Sequence, residues 1–207
     1  MKGLSVARNR DLDVWPLVHD ERAALLADLE GLTPQQWGTP SLCAGWSVWD
    51  VAAHLADTAD TTVPGMAVAM VRARFDFDRM NAQGVARNRG EAPSDVLALL
   101  RERARSTRTP PVDRASRLVE EVVHGEDVRR PLGRVRHYPA AAVVPALEYQ
   151  LRTSDAMGGS KKRAEGLRLV ATDADFVHAP RGPVLREVRG RAVDLLLAAC
   201  RRTDWPQ

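Results

Sequence analysis

One stretch constrains the fold more than any other: Leu118-Val119-Glu120-Glu121-Val122-Val123-His124-Gly125-Glu126-Asp127-Val128-Arg129-Arg130. Its apolar residues Leu118, Val119, Val122 and Val123 fall at i, i+1, i+4 and i+5, which is helical spacing. Glu120 and His124 are four apart, so their side chains stack on one face, and Asp127 shares that face three residues later. Such a helix needs other helices against its apolar side. A carboxylate above an imidazole is also half of a metal site or of an acid/base pair. Another segment has to supply the other half.

The rest of the chain reads as further helices divided by Pro and Gly. A lead-in over residues 1–11 is expected to be mobile. Pro16 suits a first helical turn, and Leu17, Val18, Glu21, Leu25 and Leu29 give a buried stripe that Gly31 stops. Residues Leu32 to Trp46 read as a long irregular stretch that caps helix ends, with Trp37 and Trp46 as packing. Ser47-Val48-Trp49-Asp50 is a capping-box signature for a second helix. Its buried stripe is Val48, Val51, Ala52, Leu55 and Ala59, with His54 on a flanking arc beside Asp50, Asp57 and Thr61. Pro64-Gly65 is expected to bend or break this helix, with helical character resuming through Met66 and Met70. Asn81 to Gly90 reads as a helix end and loop. Pro93-Ser94 restarts a helix that Thr109-Pro110-Pro111 ends. Ala140 to Leu151 is one more helix. No strand signal precedes residue 155, so an up-and-down four-helix bundle is expected over residues 1–155.

The pattern then changes. Gly158-Gly159-Ser160-Lys161-Lys162 reads as a flexible joint. Leu167–Thr172 alternates as a strand does, Phe176–His178 and Val184–Val188 suggest two more strands, and Ala192–Cys200 is an amphipathic helix. A short βββα segment is therefore expected over residues 160–207.

At 207 residues with 44% hydrophobic and 28% charged residues, the chain is long enough for one domain with a good core. Its net charge of +3 comes without a basic run or an aromatic platform, so no nucleic-acid partner is expected. No apolar run reaches membrane-spanning length, no apolar leader follows Met1, and Cys43 and Cys200 form no CxxC pair; a cytoplasmic location is the expectation.

The candidates for convergent chemistry are His54 on one helix and Glu120 with His124 on another. Two imidazole nitrogens and a carboxylate oxygen make up the ligand set of many catalytic zinc sites, and ferrous iron accepts the same set. Each piece also has a plainer reading. A histidine beside an apolar stripe is commonly a packed boundary residue, and a Glu/His pair at i, i+4 is commonly a surface ion pair. Spacing alone leaves both open. Glu121 and Glu126 are expected to be solvated. Arg129 and Arg130 are expected to serve the helix C-terminus. His19, His137 and His178 have no partner pattern and are expected at the surface, and Cys43 is expected to be packing.

Two blocks of sequence also resemble a known family. One is Leu32-Thr33-Pro34-Gln35-Gln36-Trp37 with Pro40 through Leu55; the other is Glu120 through Gly133, with its Glu-x-x-x-His-Gly-x-Asp-x-Arg-Arg-Pro-Leu-Gly pattern. Together they resemble the mycothiol-dependent maleylpyruvate isomerase family of the DinB-like metalloenzyme superfamily. The resemblance implies a mainly α fold, a DinB-like up-and-down four-helix bundle with a small C-terminal α/β appendage. It implies a divalent metal, zinc foremost, held by His54, Glu120 and His124, and mycothiol or another low-molecular-weight thiol as cofactor. A metal-bound thiol is deprotonated near neutral pH, so isomerisation or S-transfer on a small electrophilic substrate follows. In that setting Asp127 orients a ligand and Arg129 binds a carboxylate or caps its helix. A non-catalytic ligand-binding protein, a hydrolase using metal-bound water, and a homodimer all stay open.

Overall fold

The computed structural model describes residues 13–110 and 112–207, so the lead-in expected over residues 1–11, and Pro111, lie outside the described residues. Helix α1 (Trp15–Glu30) carries Pro16 in its first turn and buries Val18, Leu25 and Leu29. Helix α3 (Val48–Ala59) starts where the capping box puts it. The Ser47 hydroxyl accepts from the Asp50 amide, and the Asp50 carboxylate accepts from the Ser47 amide. With α6 (Pro93–Arg103) and α7 (Ala115–Arg129), these helices close a ring: α1 and α3 each touch both α6 and α7. This four-helix core is the predicted bundle. Helix α8 (Ala140–Arg152) packs outside it, against α7 and the C-terminal segment.

Three stretches differ from the sequence reading. The loop after α1 contains a one-turn helix, α2 (Pro34–Trp37), because Thr33 and Gln36 form a reciprocal capping box around Pro34. The helix breaks and resumes as expected, but the break falls earlier, after Ala59, and Pro64 sits in the first turn of a separate helix, α4 (Val63–Arg72), capped by the Thr62 hydroxyl. Residues 81–88 are not loop but most of α5 (Phe77–Asn88). The Asp76 side chain caps its start, and Gly84 lets it approach α3 so closely that an added Cβ would fall 2.4 Å from the Asp57 carboxylate.

The C-terminal part forms the expected strands and helix. Strand β1 (Leu167–Ala171) lies between β2 (Val177–His178), antiparallel, and β3 (Arg186–Gly190), parallel, with Leu169 level with Val188. Leu169 and Val188 share a core with α9 (Ala192–Ala199), α8 and the Leu118/Val122 side of α7. A second core gathers Leu25, Leu29, Val51, Leu55, Val96 and Val128. The 158–162 joint is tied down rather than loose: Ser160 is fully buried, and its amide and hydroxyl both donate to the Gln150 carbonyl.

Helix α7 is the axis of the molecule, with 12 of its 15 residues buried. Several of these are charged, so they need partners. Glu121 and Glu126, expected in solvent, are both buried. Glu121 accepts from Arg22 Nε at 2.7 Å, and Glu126 accepts from Arg130 Nε at 2.7 Å and from the Tyr138 hydroxyl at 2.8 Å. Helices α1, α3, α8 and α9 all pack on α7, so its buried charges are matched by side chains rather than by water. Removing one member of a buried ion pair costs about 3–5 kcal/mol, whereas replacing both with apolar groups is often near neutral. Glu121→Leu should therefore lower stability by about 3 kcal/mol in chemical denaturation, and the Arg22→Met/Glu121→Leu double variant should recover much of that loss.

Candidate metal centre

Ser47 fixes where α3 begins, and His54 follows two turns later on the side that meets α7. Here α7 presents Glu120 and His124. The His54 Nε2 atom lies 3.5 Å from Glu120 Oε2, and His124 Nε2 lies 3.7 Å from the same oxygen. One donor atom from each of the three side chains falls within 4.8 Å of the others. The two rings meet edge to face, with centroids 4.8 Å apart. Donors about 2.0–2.2 Å from a tetrahedral ion stand about 3.3–3.6 Å from each other. Of the carboxylate-to-imidazole distances, the one to His54 lies within that span and the one to His124 is 0.1 Å beyond it. Glu120 Oε2 is buried and has no hydrogen-bond partner among the described residues, as an oxygen reserved for a cation would be. The donor set therefore fits a divalent ion.

The surroundings fix the ligands unequally. His124 Nδ1 is 2.8 Å from Asp127 Oδ2, which leaves Nε2 as the free lone pair. Asp127 is completely buried and is clamped from behind by Arg202, whose Nε and Nη2 donate at 2.8 and 3.0 Å. His54 Nδ1 has no such partner among the described residues. The ring is held instead by packing against Trp46, 5.0 Å away between centroids. Trp46 belongs to a tight turn, with Gly45 at φ +80°, closed by Ser41 and Trp46 backbone bonds. The turn is anchored to α7 by the Leu42 amide donating to the Asp127 carbonyl at 3.2 Å.

The electrostatics follow from these contacts. Burial opposes ionisation of Glu120, but the polar contact with the His54 imidazole at 3.5 Å and the charges of Arg117, His124 and His54 outweigh it, and the carboxyl is held far below its ordinary value. Burial likewise disfavours charge on His124, yet its bond to Asp127 and the charges of Glu120 and Asp127 raise its pKa. Asp127 is lowered against burial by its bonds to His124 and Arg202. Burial raises Cys43 and pushes Cys200 up to about 12, so neither thiol is activated.

Of the residues singled out in the sequence, His54, Glu120, His124 and Asp127 converge. Arg129 does not join them. It is buried among its own partners, with Nε 2.6 Å from Asp28 Oδ2 and Nη1 donating to the Tyr138 hydroxyl at 2.8 Å. Sequence reasoning missed Arg202. Its placement depends on a Schellman ending of α9: the Arg202 amide bonds the Leu197 carbonyl, the Arg201 amide bonds the Ala198 carbonyl, and Arg201 takes φ +61°. That ending is usually signalled by glycine, and here arginine stands in its place. An open depression of about 590 Å³ lined by Arg163, Arg201, Arg202, Thr203 and Asp204 shares Arg202 with the site but none of the three donors. Among the described residues, no helix is long and apolar enough to cross a membrane.

Comparison with known proteins bears on the family and the fold. Residues 18–129 match the family model described as mycothiol maleylpyruvate isomerase N-terminal domain, a span that contains all three donors. Two solved structures share the fold. The mycothiol-dependent maleylpyruvate isomerase has a TM-score of 0.66 at 17% identity, and a histidine-to-alanine variant described under the same name has a TM-score of 0.66 at 16% identity. In each comparison the match covers 93% of this chain and 91% of the other. No curated protein matches the chain.

A ligand histidine must lose its proton to bind metal. Because the His124 pKa is raised, divalent-metal affinity should go on climbing with pH beyond the range in which an ordinary imidazole has finished titrating. Calorimetric titration in buffers of different ionisation enthalpy should record proton release on binding. Asp127→Asn should weaken metal binding by about 10–100-fold, the usual cost of losing a partner that orients a ligand.

Proposed function

This chain belongs to the mycothiol maleylpyruvate isomerase N-terminal domain family, and from that premise we propose that it is a divalent-metal enzyme. In this reading it uses a low-molecular-weight thiol, mycothiol foremost, to isomerise or S-transfer a small electrophilic substrate. The observation that carries the reading is the convergence of His54, Glu120 and His124 on one centre. Zinc suits two imidazoles and a carboxylate with a position left for an exogenous ligand. When bound, the ion supplies a Lewis acid that keeps a thiol deprotonated, and the thiol supplies a nucleophile able to add reversibly to an electrophilic carbon.

The residues around the three donors divide the tasks in that scheme. His54, Glu120 and His124 hold the ion. Asp127 fixes the His124 tautomer by accepting from Nδ1, and Arg202 keeps Asp127 ionised and in place. Trp46 forms an apolar wall beside His54, limiting water at that edge. Two arginines flank the carboxylates, Arg117 near Glu120 and Arg202 on Asp127. With a dication present, the positive charges exceed the negative ones, which favours an anionic thiolate there. Cys43 is not the nucleophile in this scheme, because burial holds its proton on.

Metal analysis after purification is the first test. Wild type should carry about one equivalent of divalent metal, as expected for a three-ligand site, and His54→Ala and His124→Ala should lose it. Stoichiometric metal in both variants would remove the basis of the proposal. Turnover of an activated cis-alkene should require both metal and thiol; turnover with metal alone would point to hydrolytic chemistry instead.

A further inference from the structure

We propose that Arg117 is a positioning residue that selects which oxygen of Glu120 faces the centre. The inference rests on the metal-centre reading above and goes beyond the general positive charge which that reading gives Arg117. Arg117 lies on the same side of α7 as Glu120, one turn earlier, and is only 4% exposed. Its Nη1 donates to the Thr58 carbonyl of α3 at 3.2 Å, one turn beyond His54. Its Nη2 stands 3.9 Å from Glu120 Oε1, while Nε has no partner among the described residues. The guanidinium thus forms a layer directly beneath the three donors, bridging the two helices that carry them.

The two oxygens of Glu120 are divided by this arrangement. Oε1 faces the Arg117 cation; Oε2 faces the two imidazoles and has no other partner. The neighbouring carboxylate, Glu121, has its own close partner in Arg22 at 2.7 Å. A buried guanidinium with an unmatched N–H is costly, and bridging α3 to α7 at Thr58 needs only one of its donors. What the remaining charge does is hold one carboxylate oxygen back, so that Glu120 offers a single oxygen and leaves room at the centre for an exogenous ligand.

The test uses the full chain loaded with cobalt(II), whose visible spectrum reports coordination number, with affinity read by competition against a chromophoric chelator. R117M should weaken cobalt binding by about 10–100-fold and shift the spectrum toward the weaker absorption of a higher-coordinate ion as the second oxygen enters. R117K, which restores a charge without the planar fork, should recover part of the affinity. R117Q replaces R117M should the latter fail to fold. A purely bridging role predicts a lower melting temperature of the metal-free protein with wild-type affinity and spectrum; that result in any folded variant overturns the assignment. Failure of the wild type to bind cobalt would overturn the metal-centre reading, and this assignment with it.

Discussion

Charge buried along α7 is the constraint on which the rest of the structure depends. Taking an ion out of water costs several kcal/mol even after relaxation. The chain meets that cost pair by pair along α7: Glu121 with Arg22, Glu126 with Arg130 and Tyr138, Asp127 with Arg202, Arg129 with Asp28. Against this matching, the atoms left over stand out. Glu120 Oε2 is buried without a hydrogen bond, and it is the oxygen nearest both imidazole Nε2 atoms. A dication at that point would supply the missing partner for three groups at once.

Matching of this kind also explains why the C-terminal segment is part of the site's support. The β1–β3 pair and α9 share a core with α7 and α8, and Asp194 of α9 pairs with Arg130 at the end of α7. The α9 ending then delivers Arg202 to Asp127. A residue 75 positions away thereby holds the carboxylate that orients His124. The loop before α3 contributes from the opposite side, where the Leu42 amide bonds the Asp127 carbonyl and Trp46 packs on His54. The bundle supplies the donors, and two outlying segments fix their orientation.

Much of this was legible in the sequence, for reasons that are local. Periodicity located α1, α3, α6, α7, α8 and α9, because apolar stripes and caps such as Ser47/Asp50 are written within a few residues. The i, i+4 spacing put Glu120 and His124 on one face and His54 was a candidate on another helix; resemblance joined the three as one ligand set. What stayed hidden depends on contacts across the chain. Glu121 and Glu126 read as solvated because nothing nearby in sequence announces Arg22, or the walls that enclose α7. Helix α5 read as loop because its burial is slight, and its support comes from Asp76 and from close approach at Gly84. Arg202 left no signal at all, since the Schellman ending that aims it lacks its customary glycine.

X-ray absorption at the edge of the metal bound by the purified protein bears most directly on the central claim. Two imidazole nitrogens and one carboxylate oxygen should account for the protein ligands, and a sulfur scatterer should enter when a small thiol is added. A first shell built from cysteine sulfur in the thiol-free protein, or one without imidazole, would contradict the account.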